Sequence, residues 1–270
     1  MFNASIVLYR HDPEDIFPLL NSLLRCRGLR RLFLLDNSPE ATKAFDHLPV
    51  IYHFNGRNLG YGAAHNIAIR KSLAEAIPYH LVLNPDVSLE PSVLTRLEAF
   101  MEEHPDAGLV MPKVLFPNGE TQYLCKLLPT PADLLFRRFL PPSWTMRRRH
   151  RFELRHTGYN RTMDVPYLSG CFMFLRCDTL REVGVFDERF FLYPEDIDLS
   201  RRIHRRARTL FFPEVSVEHR HEQGSYKNAK LFLLHLVNMA RYFGKWGWFF
   251  DAERREINRC ILRSWKQDEY

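Results

Sequence analysis

Short apolar runs, each followed by polar residues, recur along the first part of this chain and constrain its fold more than any other feature. The runs lie at residues 4–9, 32–35, 50–54, 79–83 and 108–112. A continuous apolar run of about four to eight residues is typical of a strand that is buried on both faces. Segments with helical spacing separate most of the runs, so the pattern predicts an α/β fold with a mostly parallel central sheet flanked by helices. Ligands of such sheets bind beyond the carboxyl ends of the strands.

Residue types that start and stop helices mark the segments between the runs. Asp12 followed by Pro13 predicts a helix start, because aspartate caps free N–H groups and proline fits the first turn. Apolar residues at helical spacing continue this helix until Gly28. A further helix is predicted from about Pro91 to Glu103.

The second half of the chain is organised around residues 167–206. This stretch predicts an apolar strand, a short helix, an aromatic loop and then a basic helix. Glu195, Asp196 and Asp198 stand at the entrance of that basic helix. The three carboxylates could have a purely structural role, because the helix dipole favours anions at this end and Asp198 can pair with Arg202 one turn later. They could also have a catalytic role, and the acidic motifs upstream favour this second interpretation.

Length and composition favour one large domain with an extension. The chain has 270 residues, of which 46% are hydrophobic, and this is ample for a buried core. We expect a main domain over residues 1–225 and a helical extension over 226–270. Prolines and an arginine-rich run interrupt the pattern over 113–163, which predicts a variable insertion or a flexible lid.

The net charge of +6 indicates acidic partners, and nucleic acid, anionic lipid and nucleoside diphosphates all qualify.

The cysteines and the apolar runs bear on the compartment. Five cysteines form no CxxC pair and no spacing typical of a metal site, which favours a reducing cytoplasm. The N-terminus has too short an apolar run for a signal peptide, and no later run approaches the roughly twenty residues of a membrane span. We therefore expect a cytoplasmic protein whose contact with a membrane is peripheral.

Asp36, Asp86 and Asp196 each lie at or just after the end of a predicted element. Because the carboxyl ends of parallel strands face one crevice, these side chains can converge on one ligand. Asp36 suits a nucleobase or a ribose, and Asp86 suits Mg²⁺ or Mn²⁺, which prefer oxygen ligands. The structural readings are an Asx turn with Ser38 for Asp36 and a turn cap before Ser88 for Asp86.

Two histidines, His219 and His221, lie in a predicted loop over 215–225 that follows a short predicted strand over 209–212. A lone histidine is more often structural than a metal ligand. A histidine in a loop beyond a strand fits a metal site better than a core, however, and neutral imidazole is a common metal ligand. His219 could therefore share a cation with the carboxylates, and whether His221 contributes stays open at this point.

Gly60 and Gly62 follow Asn58 at the predicted start of a helix. Without side chains, the two glycines would let the backbone approach a phosphate at the helix N-terminus. The spacing is neither GxGxxG nor a P-loop, so this motif alone does not name a ligand.

Six motifs in this order and spacing resemble the family 2 glycosyltransferases of the inverting GT-A fold. They are LLDNSPE, NLGYGAAHNIAI, LVLNPDVSL, LSGCFMFLR, GVFDERFFLYPEDIDLSRR and EHRHEQGSYKN. The subgroup that they resemble most is the bacterial rhamnosyltransferase-like enzymes, which build O-antigen and other surface polysaccharides. The resemblance covers nearly the whole chain except about 120–163, where acceptor recognition varies in such families. It implies a Rossmann-like nucleotide-binding half and an acceptor half.

The resemblance implies a role for each matching residue. Asp36 corresponds to the carboxylate that reads the pyrimidine base. Asp86 corresponds to the last carboxylate of a DxD metal motif, whose first position is Asn84 in this chain. Asp196 corresponds to the catalytic base, and His219 to a metal-contacting histidine. The implied donor-binding set is Tyr9, Asp36, Asn58, Gly60, Asn66, Asn84, Asp86, Gly170 and Glu195.

The implied mechanism is a single in-line displacement on a nucleoside-diphosphate sugar, either dTDP-rhamnose or a UDP-sugar. Asp196 would take the proton of the acceptor hydroxyl as that oxygen attacks the anomeric carbon, with Mg²⁺ or Mn²⁺ supplying positive charge at the departing diphosphate. Arg201, Arg202 or Lys227 could add charge there. The implied acceptor is a growing, lipid-linked surface polysaccharide, and no nucleic acid takes part.

Two other classes of function compete with this interpretation. A sugar-nucleotide nucleotidyltransferase also uses an α/β sheet and a metal carboxylate, but it resembles its relatives in a Gly-rich loop after the first strand. Here that position reads YRHDPED and contains no glycine. A non-catalytic nucleotide-sugar-binding subunit of a membrane glycan assembly complex would bind the donor without depending on Asp196.

The last part of the chain combines aromatic and basic residues over 241–266. The aromatic ones are Tyr242, Phe243, Trp246, Trp248, Phe249 and Phe250, and the basic ones are Arg241, Lys245, Arg254, Arg255, Arg259 and Lys266. This composition suits a helix that lies on an anionic membrane surface. The alternative is that the aromatic residues pack on the sheet as core.

Overall fold

The computed structural model of the protein describes residues 1–134, 142–220 and 229–267. The described helices are α1 (Pro13–Leu24), α2 (Tyr61–Ala74), α3 (Pro91–Glu103), α4 (Pro142–Phe152), α5 (Cys177–Val183), α6 (Glu195–His204), α7 (Ala229–Trp246) and α8 (Ala252–Gln267). The described strands are β1 (Phe2–Leu8), β2 (Leu29–Asp36), β3 (Ile51–Phe54), β4 (Tyr79–Leu83), β5 (Val87–Ser88), β6 (Ala107–Leu115), β7 (Cys125–Lys126), β8 (Met163–Asp164), β9 (Tyr167–Leu168), β10 (Phe172–Arg176) and β11 (Arg208–His219). His221 and Lys227 lie outside the described residues.

A nine-stranded central sheet organises the described chain, in the order β3-β2-β1-β4-β10-β6-β11-β5, with β8 pairing to β11. Strands β3, β2, β1 and β4 are parallel to one another, and β11 is parallel to β6. Strand β10 runs antiparallel between β4 and β6. The predicted α/β fold with a helix-flanked central sheet is confirmed, and the reversed strands make this sheet mixed.

The central strands form because both of their faces are covered. Every residue of β1 is buried, and its consecutive residues Ile6 and Val7 point into different apolar clusters. The cluster of Ile6 includes residues of α1 and α3, and that of Val7 includes Ala64 and Ala68 of α2. Helix α1 begins as predicted, since the side chain of Asp12 accepts a hydrogen bond from the backbone of Glu14. Helix α3 has its predicted bounds.

Strand β11 is longer than the sequence analysis predicted, and the loop assigned to residues 215–225 is wrong at its start. The strand continues past Pro213 through an irregularity between Phe212 and Ser216, and it ends at His219. Beyond the irregularity, buried and exposed residues alternate, as the two-residue period of a strand requires. His219 is therefore the last residue of a strand, and its side chain is buried.

Several described residues of segment 113–163 pack against the sheet, and its assignment as a variable insertion or lid stays a prediction. Strand β6 extends to Leu115, and the hydroxyl oxygen of Tyr159 lies 2.8 Å from each of two carbonyl oxygens, those of Cys125 and Glu153, to which its one hydrogen can be donated. The same hydroxyl accepts a hydrogen bond from the backbone N–H of Cys125. Leu154 and Tyr159 belong to the main apolar core. Leu154 and Tyr159 thus pack together with residues of the central sheet.

The C-terminal helices are fixed to α6 by polar contacts. Arg201 of α6 forms a buried ion pair with Asp251, 2.7 Å away, next to the start of α8. The indole N–H of Trp246 donates to the carboxylate of Asp198 in α6 at 2.7 Å. The predicted pair between Asp198 and Arg202 is also present, at 2.8 Å. The end of α7 and the start of α8 are thereby held against α6.

The aromatic residues of the C-terminal segment divide between core and surface. Tyr242 and Phe243 on α7 are fully buried. Trp248, Phe249 and Phe250, in the turn between α7 and α8, are 41%, 68% and 90% exposed. Tyr242 and Phe243 thus pack as core in a small cluster with Phe190 and Ile197, whereas the turn presents three aromatic side chains at the surface. None of the helices in the described part of the chain has the length and apolar character that a membrane crossing needs.

Candidate functional site

Asp196 lies in the first turn of α6 and is oriented by three hydrogen-bond donors. Its Oδ2 accepts from the backbone N–H of Gly170 at 3.0 Å and from the hydroxyl of Tyr167 at 3.3 Å, and its Oδ1 accepts from the N–H of Ile197 at 2.8 Å. Burial raises the pKa of Asp196, while the Gly170 N–H and the charge of Lys126 act against that rise. A held carboxylate with a raised pKa is suited to accept a proton.

Gly170 brings the backbone close to Asp196. A Cβ atom at this position would lie 3.1 Å from the Cβ of Asp196, so a side chain would crowd the carboxylate. The carbonyl oxygen of Gly170 accepts a hydrogen bond from the hydroxyl of Tyr61, the first residue of α2, at 2.6 Å. Tyr61 therefore links the start of α2 to the candidate base. The sequence analysis did not single out Tyr61.

Glu195 is buried beside Asp196, with 4% of its surface exposed. Burial and the neighbouring charge of Asp196 raise the pKa of Glu195 well above its usual range. Its Oε2 has no hydrogen-bond partner within the part of the chain that the structure describes. The spare oxygen of Glu195 can serve a polar ligand, and the predicted contact of Glu195 with the donor stays a prediction.

The residues after β4 meet the end of β11. Oδ1 of Asp86 lies 3.2 Å from Nε2 of His219, and the side-chain amide of Asn84 lies 3.3 Å from the same nitrogen. The backbone of Arg220 donates to the carbonyl oxygen of Asp86, which ties the two segments together. The structure thus brings together Asp86 and His219, the two residues that the sequence analysis placed at a cation, and adds Asn84 beside them. It does so although Asp86 and His219 are 133 positions apart.

Gln122 completes this corner, and the sequence analysis missed it. Its side-chain oxygen lies 3.0 Å from Nδ1 of His219, and its amide nitrogen donates to the carbonyl oxygen of His219 at 2.6 Å. No sequence pattern marks Gln122, because it lies in the segment after β6 and reaches His219 only through the tertiary fold.

The residues in this corner fit a divalent cation that is shared with a substrate. Within the described residues, no three side chains of the His, Cys, Asp and Glu types assemble as a metal site. Asp86 and His219 nevertheless form a pair whose atoms are 3.2 Å apart, and neighbouring ligands of an octahedral Mg²⁺ are separated by about 3 Å. Mg²⁺ commonly binds through one or two carboxylates together with substrate phosphates. The donor set therefore suits a cation that a diphosphate completes.

Asp36 lies at the end of β2 and borders a cavity of about 700 Å³. Its Oδ1 accepts from the N–H of Ser38 at 2.8 Å, which is the Asx turn, and its Oδ2 accepts from the hydroxyl of Tyr52 at 2.6 Å. Burial and this hydrogen bond raise the pKa of Tyr52 to about 12. Other residues that line the cavity include Arg10 and Thr42. Each carboxylate oxygen of Asp36 can accept one further hydrogen bond from a ligand.

The loop before α2 is fixed by Asn37, which the sequence analysis did not single out. The amide of Asn37 donates to the carbonyl oxygen of Gly60 at 3.1 Å, and its oxygen accepts from the amide of Asn55. Asn58 accepts from the N–H of Gly60 at 2.9 Å. Gly60 has a φ of +88°, and a Cβ there would lie 2.2 Å from the backbone oxygen of Phe191. Only glycine fits this position.

Asn66 and Tyr9 were both predicted to bind the donor, but the structure shows Asn66 bonded to other protein groups and Tyr9 partly exposed. The amide of Asn66 is buried in α2, where its nitrogen donates to the Phe186 carbonyl and to Glu188 and its oxygen accepts from the Phe186 N–H. In this structure Asn66 braces the aromatic loop from inside the protein. Tyr9 follows β1, and 45% of its surface is exposed. Contact of either residue with a donor stays a prediction.

Arg201 and Arg202 do not supply free charge to a leaving group, so that expectation is wrong. Arg201 is 1% exposed, pairs with Asp251 and Glu253, and stacks on Trp246 at 4.1 Å. Arg202 pairs with Asp198 and donates to backbone carbonyl oxygens. Both guanidinium groups hold α6 in place.

The corner of Asp86 and the candidate base lie on either side of the start of β10. The backbone N–H of Asn84 donates to the carbonyl oxygen of Cys171 at 2.9 Å, and the preceding residue, Gly170, holds Asp196. Burial raises the pKa of the Cys171 thiol to about 12, and the charges of Asp86 and Asp196 both add to that rise. The negative charges of Asp86 and Asp196 are therefore both felt at Cys171, the residue that precedes β10.

Comparison with known proteins finds sequence relatives of this chain. The chain is 29% identical over 180 residues to an N-acetylglucosaminyl-diphospho-decaprenol L-rhamnosyltransferase of Mycobacterium tuberculosis, and the match covers 61% of this chain and 56% of that relative. It is 24% identical over 252 residues to the rhamnosyltransferase WbbL of Escherichia coli strain K12, which covers 89% of this chain and 92% of WbbL. The chain thus spans little more than half of the first relative.

A solved structure supports the fold. GalNAc-T7, solved with UDP, GalNAc and Mn²⁺, superimposes on 91% of this chain and 48% of its own with a TM-score of 0.66 and 17% sequence identity. At this identity the likeness concerns the fold alone. The profile of the family described as "Glycosyl transferase family 2" matches residues 18–184, which is more than half of the 270 residues. The chain belongs to glycosyl transferase family 2.

Proposed function

We propose that the protein is an inverting glycosyltransferase that moves a sugar from a nucleoside-diphosphate sugar, dTDP-rhamnose or a UDP-sugar, to a hydroxyl group of a growing surface polysaccharide. The observation that carries the proposal is the carboxylate of Asp196, held by three donors at the sheet edge that also carries Asp86 and His219. A base and a diphosphate site are what this transfer requires. Rhamnosyltransferases among the relatives favour rhamnose as the sugar.

Asp196 acts as the general base of this reaction. The oxygen of the acceptor hydroxyl attacks the anomeric carbon, a new glycosidic bond forms, and the bond from that carbon to the diphosphate breaks on the opposite face. The hydroxyl proton passes to a carboxylate oxygen of Asp196. Burial favours this transfer because it raises the pKa of Asp196, and the Gly170 N–H keeps the carboxylate in place.

Asp86 and His219 hold the divalent cation, Mg²⁺ or Mn²⁺, together with the diphosphate of the donor. When bound, the cation supplies positive charge against the charge that develops on the departing diphosphate. Two lone pairs 3.2 Å apart repel unless a proton or a cation lies between them, so the pair of Asp86 and His219 is suited to this task. Asn84 presents its amide to the same corner.

The cavity beside Asp36 receives the nucleoside. Asp36 accepts a hydrogen bond from the N–H of a pyrimidine base, and its orientation is fixed by Ser38 and Tyr52. Gly60 lets the loop before α2 pass close to the backbone of Phe191, and contact of this loop with the phosphates, which the glycines and the start of a helix suggest, stays a prediction. In this arrangement the base of the donor lies beside Asp36 and its diphosphate lies beside Asp86 and His219. The sugar of the donor then lies next to Asp196.

Turnover of donor and acceptor tests the proposal. The protein is incubated with a panel of nucleotide sugars, Mn²⁺ and a lipid-linked glycan acceptor, and the released nucleotide is identified. Asp196→Asn should lower transfer by about 10²- to 10⁴-fold while UDP or dTDP binding is nearly unchanged. Asp178→Asn, at an exposed carboxylate in the first turn of α5, is the matched control and should behave as wild type.

The outcome separates the competing functions. Release of pyrophosphate would identify a nucleotidyltransferase instead. Nucleotide-sugar binding without turnover by the wild type would identify a binding subunit. Wild-type turnover in Asp196→Asn would remove Asp196 from the mechanism.

The acceptor is lipid-linked, and the protein rests on the inner face of the cell membrane through the turn between α7 and α8. Phe249 and Phe250 are largely exposed there, and the guanidinium carbon of Arg255 lies 5.9 Å from the ring centre of Phe250. A basic residue near an anionic surface contributes on the order of 1 kcal/mol, which salt screens. Aromatic side chains that enter the interface add binding that salt does not screen.

Sedimentation with anionic vesicles tests this contact. We expect the wild type to bind at low salt and to be released in part at high salt. A Phe249→Ser, Phe250→Ser variant should bind less at every salt concentration with an unchanged melting temperature. Ile51→Ser, at an exposed residue of the edge strand β3, is the control and should bind as the wild type does. Equal binding by the double variant would exclude this turn as the contact.

A further inference from the structure

The side chain of Gln122 is locked in one orientation. It is buried, with 4% of its surface exposed. Its amide nitrogen donates to two backbone carbonyl oxygens, that of His219 at 2.6 Å and that of Leu115 at 3.3 Å. The backbone of Gln122 is itself held by the carbonyl oxygen of Val114 at 2.8 Å. Because carbonyl oxygens only accept, the amide group cannot flip without placing oxygen against oxygen.

This lock decides which ring nitrogen of His219 carries a proton. With the amide nitrogen committed to the carbonyls, the side-chain oxygen of Gln122 faces Nδ1 of His219 at 3.0 Å. That oxygen can only accept a hydrogen bond, so Nδ1 must be the protonated nitrogen. In a neutral ring, Nε2 then keeps its lone pair. Nε2 is the atom that lies 3.2 Å from the carboxylate of Asp86.

We propose that Gln122 is a positioning residue that fixes His219 in the Nδ1-protonated tautomer and aims the Nε2 lone pair at a divalent cation shared with Asp86. The inference rests on the proposed function, because it concerns the cation of that site. An imidazole ligand commonly donates its other ring N–H to a fixed acceptor, and this partner sets both the tautomer and the ring orientation. Here the acceptor is an amide oxygen that two backbone carbonyls hold in place.

Two variants separate the positioning role from a purely structural one. Gln122→Glu keeps an oxygen acceptor for Nδ1 but loses both donors to the carbonyl oxygens of Leu115 and His219. Gln122→Leu loses the acceptor and the donors together. If Gln122 only tied the strand ends together, both variants would weaken metal binding equally. If it positions His219, only the leucine variant should weaken metal binding strongly.

The test is calorimetric titration of the full chain with Mn²⁺ in the presence of UDP at neutral pH, with thermal unfolding of every variant as the check on folding. Gln122→Leu should weaken Mn²⁺ binding by about 10- to 100-fold, the usual effect of removing such a partner. Gln122→Glu should stay close to wild type even where its melting temperature is lower. In a His219→Ala background, Gln122→Leu should have no further effect, because the residue acts through His219.

A measurement without metal reports the tautomer directly. Long-range proton–nitrogen NMR of the histidine rings, with the His219 signals assigned by their loss in His219→Ala, should show protonated Nδ1 in the wild type and a changed pattern in Gln122→Leu. Wild-type Mn²⁺ affinity in Gln122→Leu, or an unchanged tautomer, would overturn the inference while His219→Ala still loses binding. If His219→Ala binds Mn²⁺ as the wild type does, the metal assignment of the proposed function fails first, and the inference falls with it.

Discussion

Acid should destabilise this protein through a buried histidine in the centre of the sheet. His80 on β4 is fully buried, and its two ring nitrogens face the hydroxyl groups of Ser5 at 2.8 Å and Ser72 at 2.7 Å. Burial lowers the pKa of His80 from 6.5 to about 3. Next to it, His65 shares the hydroxyl of Ser5, and burial lowers its pKa as well. Both rings are neutral in the folded state.

The sign and the size of the effect follow from proton linkage. Below pH 6.5 the unfolded chain binds a proton at position 80 and the folded chain does not, so the stability that the neutral ring contributes is lost as pH falls from 6.5 towards 3. At about pH 5 the unfolded state gains about 2 kcal/mol from His80 alone, and His65 adds a loss of the same sign. Raised pKa values at Glu195 and Asp196 act in the opposite direction, which a variant must separate.

His80→Gln isolates the contribution of His80. The unfolding free energy of wild type and variant is measured by urea titration, followed by circular dichroism, at several pH values from about 7.5 to about 5. At the upper end the variant should be less stable by about 1–3 kcal/mol, because the serine hydroxyls lose a partner. The gap should shrink by about 2 kcal/mol at the lower end, since only the wild type carries this linkage.

His53→Gln is the matched control, because His53 is an exposed histidine on the edge strand β3 of the same sheet. Its unfolding free energy should follow the wild-type curve at each pH. A constant gap between wild type and His80→Gln over the whole pH range would refute the reasoning and would mean that the His80 ring is protonated in the folded state.

Further variants address the cation and the base. Asp86→Ala should abolish stimulation by Mg²⁺ or Mn²⁺ and weaken nucleoside-diphosphate binding, because the cation has few other protein ligands; unchanged metal-dependent binding of UDP or dTDP in calorimetry would contradict the assignment of Asp86. Tyr61→Phe removes the hydrogen bond to the Gly170 carbonyl, which is worth about 0.5–1.5 kcal/mol, so kcat should fall by about 2- to 10-fold while UDP binding is retained. An unchanged kcat would show that Tyr61 does not help to place Asp196.

The local sequence pattern was sufficient to predict most of the strands and helices in the first part of the chain. Strands β1 and β4 are mainly apolar, and α1 and α3 begin with proline at the first position, so the signal for each lies within a few neighbouring residues. The extension of β11 was missed because Pro213 and the irregularity beside it hide the alternation that follows. The positions of Asp36, Asp86 and Asp196 at element ends were predicted for the same local reason.

Partners that are distant in sequence could be found only in the tertiary structure. Gln122 and His219 are 97 positions apart, and Tyr61 and Gly170 are 109 apart. No local pattern marks such residues, because either member of the pair would be an ordinary polar side chain in another fold. Arg201 shows the opposite case, since its place in a basic helix suggested a free charge but Asp251 neutralises it from 50 positions away.

The sequence by itself determined most of the strands and helices of the first part of the chain and the carboxylates at their ends, because backbone preference and the burial period are encoded within each segment. Only the tertiary structure decided which of these groups are held, paired or left exposed. Phe249 and Phe250 stay at the surface while Tyr242 and Phe243, a few residues earlier, are buried, although all four are aromatic. The difference arises because Tyr242 and Phe243 on α7 pack against Tyr167, Phe190 and Ile197, which are far away in the chain, whereas Phe249 and Phe250 lie in the turn after α7.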